Sequence, residues 1–371
     1  MNPSFDIVLI AIVVALSCSL LGVFLVLKKM AMMSDAITHT ILLGIVIAFF
    51  ITEDMNSPWL IFGASLMGVV TVYLIEALQS TKLLSEEASI GVIFPLLFSI
   101  AIILISRYAG SVHIDTDAVL LGELSFAPFD RMMFLGLSIP RSLFTMGIIL
   151  IIDFLFVVIF YKELKLSSFD ALLSATLGLS PVLIHYALMS LISITAVGAF
   201  SAVGSILVIA FMIGPPLTAY LLTHDLKKLM FISSGFAVFN AIAGFFLAFG
   251  LNVSISGSMA VVTGLSFTFV YLFSPREGLI STQIMRRNQR KEFAETTVLF
   301  HLYSHEDDED ALIESGLDTI DAHLNWSRSK IERVVKDLKA KDLVELKDRQ
   351  IFLTERGRSR SIAEADRIFD R

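Results

Sequence analysis

Asp35 and His39 stand four residues apart at the mouth of an apolar run, in Lys28-Lys29-Met30-Ala31-Met32-Met33-Ser34-Asp35-Ala36-Ile37-Thr38-His39. On a helix the two lie one turn apart on one face. A carboxylate and an imidazole so placed can share one divalent cation. Oxygen and nitrogen donors suit manganese, iron(II) or zinc, and the lack of cysteine beside them argues against copper(I). The bland alternative makes Asp35 a helix cap and His39 a buried, hydrogen-bonded histidine. Ionisable groups are costly on an apolar helix, so such a pair is a functional hypothesis by default.

Other residues compete for the same chemistry. His113, Asp115 and Asp117 fall on one face if their segment is extended, where three hard ligands can pass on a cation; otherwise they form a solvated loop. His301 and His305 are one turn apart beside Glu306, Asp307 and Asp308, either a metal-sensing pair or a solvated helix face. Asp153, deep in an apolar run, is either a hydrogen-bonded packing acid or a pore contact. His185 and His224 sit at run ends and read as interfacial. The chain has one cysteine, Cys18, so disulfide frameworks and cysteine-based zinc sites are excluded.

The elements that must hold these residues are membrane helices. The chain has 371 residues, 56% of them hydrophobic, well above a soluble domain. Residues 1–275 hold 10 basic and 15 acidic side chains, and residues 276–371 hold 18 and 20. The expected organisation is therefore a transmembrane domain over 1–279, a basic linker over 280–291 and a hydrophilic domain over 292–371. Runs near the roughly 20 residues needed to span fall at 7–27, 36–52, 58–78, 89–106, 142–162, 181–198, 202–222, 228–250 and 257–273. That gives an all-α polytopic protein of eight or nine spans. Runs 181–198 and 202–222 are split only by Ala199-Phe200-Ser201, which predicts a tight helical hairpin. The first run is long enough to span and lacks a basic leader, so no cleavable signal peptide is expected.

Basic residues set the orientation. With the tail inside, Lys28, Lys29, Lys82, Lys162, Lys165, Lys227, Lys228 and Arg276 lie inside, and Arg107, Arg131 and Arg141 outside. Nine spans then put the N-terminus outside. Residues 118–124 are expected to form a short interfacial or re-entrant helix, and a crossing there would flip the N-terminus.

Between two runs lies Lys162-Glu163-Leu164-Lys165-Leu166-Ser167-Ser168-Phe169-Asp170-Ala171-Leu172-Leu173. Ser168 or Asp170 can cap a short helix that ends at Gly178. Phe169, Leu172 and Leu173 give it an apolar face that either docks a soluble partner or lies on lipid. Gly214-Pro215-Pro216 interrupts the 202–222 run, and prolines there make either a gate hinge or a plain packing kink.

In the tail, the pattern predicts helices over 292–304, 318–324 and 327–341, a turn at 306–310, a hairpin around Lys347-Asp348-Arg349, and a last helix after Thr354. This small α+β order resembles a winged-helix domain of the kind found in metal-responsive repressors. Its third helix carries Arg328, Lys330, Arg333, Lys336, Lys339 and Lys341, as a groove-reading helix would. The tail is acidic overall, which argues against nucleic acid as its partner and favours protein contact or regulation.

The block from Lys162 to Leu279 resembles the permease subunits of zinc, manganese and iron ATP-binding-cassette (ABC) importers. Its marks are Lys162 to Asp170, Ala199-Phe200-Ser201-Ala202-Val203-Gly204, Ile213-Gly214-Pro215-Pro216-Leu217-Thr218-Ala219 and Ser274-Pro275-Arg276-Glu277-Gly278-Leu279. The stretch Gly22 to Gly44, Glu86-Glu87-Ala88-Ser89-Ile90-Gly91 and Val119-Leu120-Leu121-Gly122-Glu123-Leu124 resemble the same family. The resemblance implies a bacterial inner-membrane permease with its C-terminus in the cytoplasm and no resident cofactor. It implies an ATPase subunit that binds ATP and docks on Ser168, Phe169, Asp170, Leu172 and Leu173, and an extracytoplasmic metal-binding protein. It also implies a pore metal site at Asp35 and His39, completed by a second permease chain, identical or paralogous. No Gly-x-x-x-x-Gly-Lys-[Ser/Thr] loop occurs, so ATP hydrolysis is expected on the partner rather than on this chain. Two other readings stand beside it: a proton-coupled secondary metal transporter with Asp153 as relay, and a membrane-tethered regulator acting through its tail.

Overall fold

The computed structural model describes residues 3–54, 57, 59–108, 124–134, 137–275, 277–306 and 315–369. The chain divides into two compact units, Met1–Gly278 and Leu279–Arg371.

The first unit is a bundle of long apolar helices. They are α1 (Pro3–Leu27), α2 (Ala31–Thr52), α3 (Trp59–Ser80), α4 (Glu86–Tyr108), α5 (Arg141–Ile159), α8 (Pro181–Val203), α9 (Ser205–Tyr220), α10 (Leu226–Leu251) and α11 (Ile255–Phe273). Among the described residues, eight of these are long and apolar enough to cross a membrane, and α9 is a shorter apolar helix of 16 residues. The chain is a multi-pass membrane protein. Two short helices, α6 (Tyr161–Phe169) and α7 (Ala171–Thr176), join α5 to α8.

α1 is apolar on all sides because it is the central helix. Ile10, Val14, Cys18, Leu21 and Phe24 are fully buried, and α1 packs on α5, α9 and α10. The outer helices leave Phe62, Leu66 and Tyr73 of α3, and Ile151, Phe154 and Leu155 of α5, exposed, as a lipid-facing surface requires. α2 and α3 pack backbone to backbone: a Cβ on Gly44 would lie 2.3 Å from the Gly63 carbonyl oxygen. That close approach fixes the face that α2 turns to the rest of the bundle.

Cross-bundle contacts define the two ends. At one end the buried Asp6 of α1 is paired with Arg131 at 2.8 Å. Arg131 belongs to a hairpin, β1 (Arg131–Phe134) and β2 (Leu137–Pro140), that the sequence pattern does not reveal. At the other end Lys28 Nζ donates to the Ser167 carbonyl at 3.3 Å, Lys227 lies over the Tyr161 ring, and Ser274 Oγ donates to the Leu221 carbonyl. The short helices α6 and α7 therefore sit at the end where α2 starts and where α11 ends.

Two expectations change here. Ala199, Phe200 and Ser201 lie inside α8, and the chain turns instead at Gly204 with φ of +83°. Ala, Phe and Ser are tolerated in a helix, whereas a left-handed backbone favours glycine. After the turn α9 packs mainly on α1 and α11, so the pair splays rather than forming a close hairpin. Gly214, Pro215 and Pro216 lie within a continuous α9, so the chain is not interrupted there. Residues 118–123, expected as a re-entrant helix, lie outside the described residues.

The second unit begins with α12 (Leu279–Ser304), followed by α13 (Ile320–Leu324), α14 (Arg328–Ala340), β3 (Val344–Lys347), β4 (Gln350–Leu353) and α15 (Glu355–Phe369). Residues 280–291, expected as a linker, are the first turns of α12. Ile331, Val334, Val335 and Leu338 line one face of α14 and join Val298, Leu299, Leu302, Ile320 and Ile351 in a small core. The β3–β4 hairpin turns on Asp348 and Arg349, both at positive φ, the geometry a two-residue hairpin turn needs.

Candidate metal centre

The pair singled out by spacing is assembled on α2. His39 Nε2 lies 3.4 Å from Asp35 Oδ1, and the two side chains are 24% and 35% exposed. Neither is sealed in the core, so both can reach a passing ion. Asp35 is not a cap: α2 begins at Ala31, its cap position is Met30, and no side chain caps it. The Ser34 hydroxyl donates to the Ala31 carbonyl and the Thr38 hydroxyl to the Asp35 carbonyl, so the neighbouring hydroxyls turn back on the helix and do not engage the carboxylate. The His39 ring lies against Phe94 and Phe98 of α4, with ring centres 5.1 and 6.1 Å away. These aromatic walls restrict the imidazole on one side. At 1.5 Å per residue, His39 lies about 12 Å from the start of α2, roughly a third of the helix length.

Among the described residues no group of three His, Cys, Asp or Glu side chains can hold a metal ion as placed. Asp35 and His39 supply two donors, and a tetrahedral or octahedral ion needs more.

The segment that joins α5 to α8 is built as its sequence predicts. Asp170 caps α7, its Oδ1 accepting from the Leu173 amide at 2.9 Å. Ser168 lies within α6. Gly178, with φ of +80°, follows α7, and its amide donates to the Ala175 carbonyl. Phe169, Leu172, Leu173 and Leu177 are exposed at 59, 78, 45 and 60%. Four large apolar side chains on so short a stretch form an exposed apolar patch.

A polar cluster that sequence reasoning missed lies beside this segment. Glu76 of α3 accepts from the Tyr186 hydroxyl at 2.8 Å. Its other oxygen is 2.5 Å from His185 Nε2, an ion-pair distance without hydrogen-bond alignment. Lys28, Glu76, Ser167, His185 and Tyr186 line one open cavity of about 400 Å³. Burial holds the Lys28 ammonium below the ordinary lysine range, and Glu76 offsets part of that effect. The signal was available, since Glu76 is an acid near the end of an apolar run. Its partners lie 110 residues away, which no local pattern shows. His185, in the first turns of α8, is thus part of a half-buried cluster, and His224 is exposed and paired with Glu277 at 3.1 Å.

Asp153 is fully buried, and its Oδ2 accepts from the Thr195 hydroxyl of α8 at 2.9 Å. It therefore holds α5 to α8 and has no opening to the surface. His113, Asp115 and Asp117 lie outside the described residues. In the second unit the His301 and His305 rings are in contact, with ring centres 4.9 Å apart and planes tilted by 57°. Several basic residues of α14 are engaged internally. Arg328 pairs with Asp318, Lys330 lies 3.4 Å over the Trp326 ring, and Arg333 donates to the Ser329 carbonyl. Lys341, just past the helix, pairs with the buried Glu295 at 2.5 Å.

Comparison with known proteins places this architecture. Residues 4–274 match the ABC 3 transport family. The chain is 42% identical over 363 residues to the zinc transport system membrane protein TroD of Treponema pallidum (strain Nichols), covering 98% of this chain and 99% of that protein. It is 40% identical over 294 residues to the manganese transport system membrane protein MntD of Bacillus subtilis (strain 168), covering 78% of this chain and 99% of that one. Its likeness to TroD therefore takes in the second unit. Among solved structures it resembles PsaBC from Streptococcus pneumoniae in complex with Fab, with a TM-score of 0.64 at 26% identity, over 76% of this chain and 96% of that chain. With nine apolar helices among the described residues, a capped apolar connecting segment and a family match over residues 4–274, this chain belongs to the ABC 3 transport family.

Proposed function

We propose that this chain is the pore-forming permease subunit of an ATP-driven importer for a divalent transition metal. Zinc and manganese are the ions named for its relatives, and the donor set of Asp35 and His39 suits both. The observation that carries the reading is the placement of that pair. The two side chains are half-open, one turn apart, on a helix whose starting turn is tied through Lys28 to the docking segment at Ser167. A push on residues 168–178 thus has a short route to the metal ligands.

The rest of the machine follows from chemistry. Two donors are too few for a stable site, so a second permease chain supplies the others. The exposed patch of Phe169, Leu172 and Leu173 receives an ATPase subunit, which binds and hydrolyses ATP. Lys28, Lys29, Lys162, Lys165, Lys227 and Lys228 crowd the end that holds this patch, which supports a cytoplasmic position for it and for the C-terminus. A metal-binding protein delivers the ion at the opposite end, where the Arg131 hairpin sits. The second unit is a regulatory module rather than a DNA reader, because the basic side chains of its third helix are largely engaged within it.

The test is ATP-driven uptake of manganese and of zinc by the full complex in proteoliposomes. Asp35→Ala and His39→Ala complexes are expected to assemble and hydrolyse ATP yet lose at least about tenfold in uptake, as loss of a metal ligand requires. Normal uptake by assembled Asp35→Ala and His39→Ala complexes would overturn the site.

A further inference from the structure

Only the second half of α12 is used by the core of the second unit. The buried residues of this helix, Ala294, Glu295, Val298, Leu299 and Leu302, all lie there. The first half, residues 279–293, has no buried side chain, and Leu279, Ile280, Ile284, Met285 and Phe293 are exposed. About four turns of helix have little stability of their own in water, and apolar side chains exposed on them call for a covering surface. Charge says which surface. From Leu279 to Lys291 the chain carries Arg286, Arg287, Arg290 and Lys291 and no acidic residue. Lys291 is paired with Asp337 at 2.8 Å. Arg286, Arg287 and Arg290 are exposed, and among the described residues no carboxylate pairs with them.

The chain also fixes where this stretch starts. α11 ends at Phe273, Ser274 Oγ donates to the Leu221 carbonyl, and the Gly278 amide donates to the Ser274 carbonyl at 3.1 Å. α12 therefore begins one residue after a turn pinned to the end of a membrane helix. Its apolar side chains fill the two turns next to that end, and the arginines begin about 10 Å further along the axis.

We infer that residues 279–290 form an interfacial anchor on anionic phospholipid headgroups. Leu279, Ile280, Ile284 and Met285 rest at the acyl boundary, and the guanidinium groups of Arg286, Arg287 and Arg290 fork onto lipid phosphates. An anionic leaflet attracts a basic cluster placed next to a membrane helix in this way. Nucleic acid would satisfy the arginines but leave the apolar turns in water, so the bilayer is the better match. The anchor does not depend on the transport reading.

The full-length chain in nanodiscs of phosphatidylcholine, alone or mixed with phosphatidylglycerol, tests this. An environment-sensitive dye goes on Gln283→Cys, an exposed position, since the native Cys18 is buried. We expect a blue-shifted emission in the mixed discs that is lost at about 1 M salt, where charges are screened within about 3 Å. The shift should also be lost when Arg286→Gln, Arg287→Gln and Arg290→Gln are combined. A second measurement needs no variant: tryptic cleavage of the unmodified chain after Arg286, Arg287 and Arg290 should be at least about tenfold slower in the mixed discs. Equal emission and equal cleavage in the two discs, or a blue shift retained in the triple variant, would overturn the anchor. So would tight duplex DNA binding by the detergent-solubilised chain that the triple variant abolishes.

Discussion

Asp153 and Asp35 are both acids in apolar helices, yet their surroundings assign them different work. Asp153 is fully buried and accepts from Thr195, so it joins two helices. Asp35 is a third exposed, with His39 one turn away. A proton relay needs a path to water at each stage, and Asp153 has none in this structure. Asp153→Asn keeps a side chain of the same shape that can still accept from Thr195. It is expected to leave ATP-driven uptake near the wild-type rate; strong loss of uptake with intact assembly would revive the proton-coupled reading. The buried Asp6 is a different case, paired with Arg131 across the bundle end. Arg131→Met strands a buried charge and is expected to cost about 3 kcal/mol, read as a lowered midpoint of thermal unfolding. The Asp35–His39 pairing was legible from spacing alone because it is local to one helix. The Glu76–His185–Tyr186 cluster was not, because it joins residues from elements whose packing no local pattern encodes.

At the scale of elements, the proposed docking segment owes its form to one side chain. Asp170 supplies the acceptor for the first turn of α7, and the chain reverses at Gly178. Serine is also a good cap and alanine is not. Asp170→Ser is therefore expected to retain ATPase binding and uptake, and Asp170→Ala to weaken both, measured by co-purification of the ATPase subunit. Leu172, the most exposed apolar residue of the patch, is the site for a charge: Leu172→Glu should abolish co-purification while leaving the permease folded. Equal ATPase recovery with Leu172→Glu would move the docking surface elsewhere. Hydropathy located the long helices to within a few residues because the bilayer sets their length and composition. The turn at Gly204 was misplaced by the sequence reading because Ala199, Phe200 and Ser201 carry no helix-breaking chemistry. The Arg131 hairpin escaped it because its strands are four residues each and are held by a pairing to α1.

The molecule as a whole is a permease subunit. Its proposed metal ligands, Asp35 and His39, start one turn into α2, at the end where α6 and α7 sit, and two donors are too few to hold an ion alone. The full-length likeness to TroD shows that the second unit accompanies this permease architecture in another protein. The central claim is that two permease chains share one pore ion through Asp35 and His39. Metal stoichiometry of the purified permease–ATPase complex tests it most directly. The account predicts one tightly held zinc or manganese per pair of permease chains, lost with Asp35→Asn. One ion per permease chain, or binding that persists unchanged in Asp35→Asn, would contradict it.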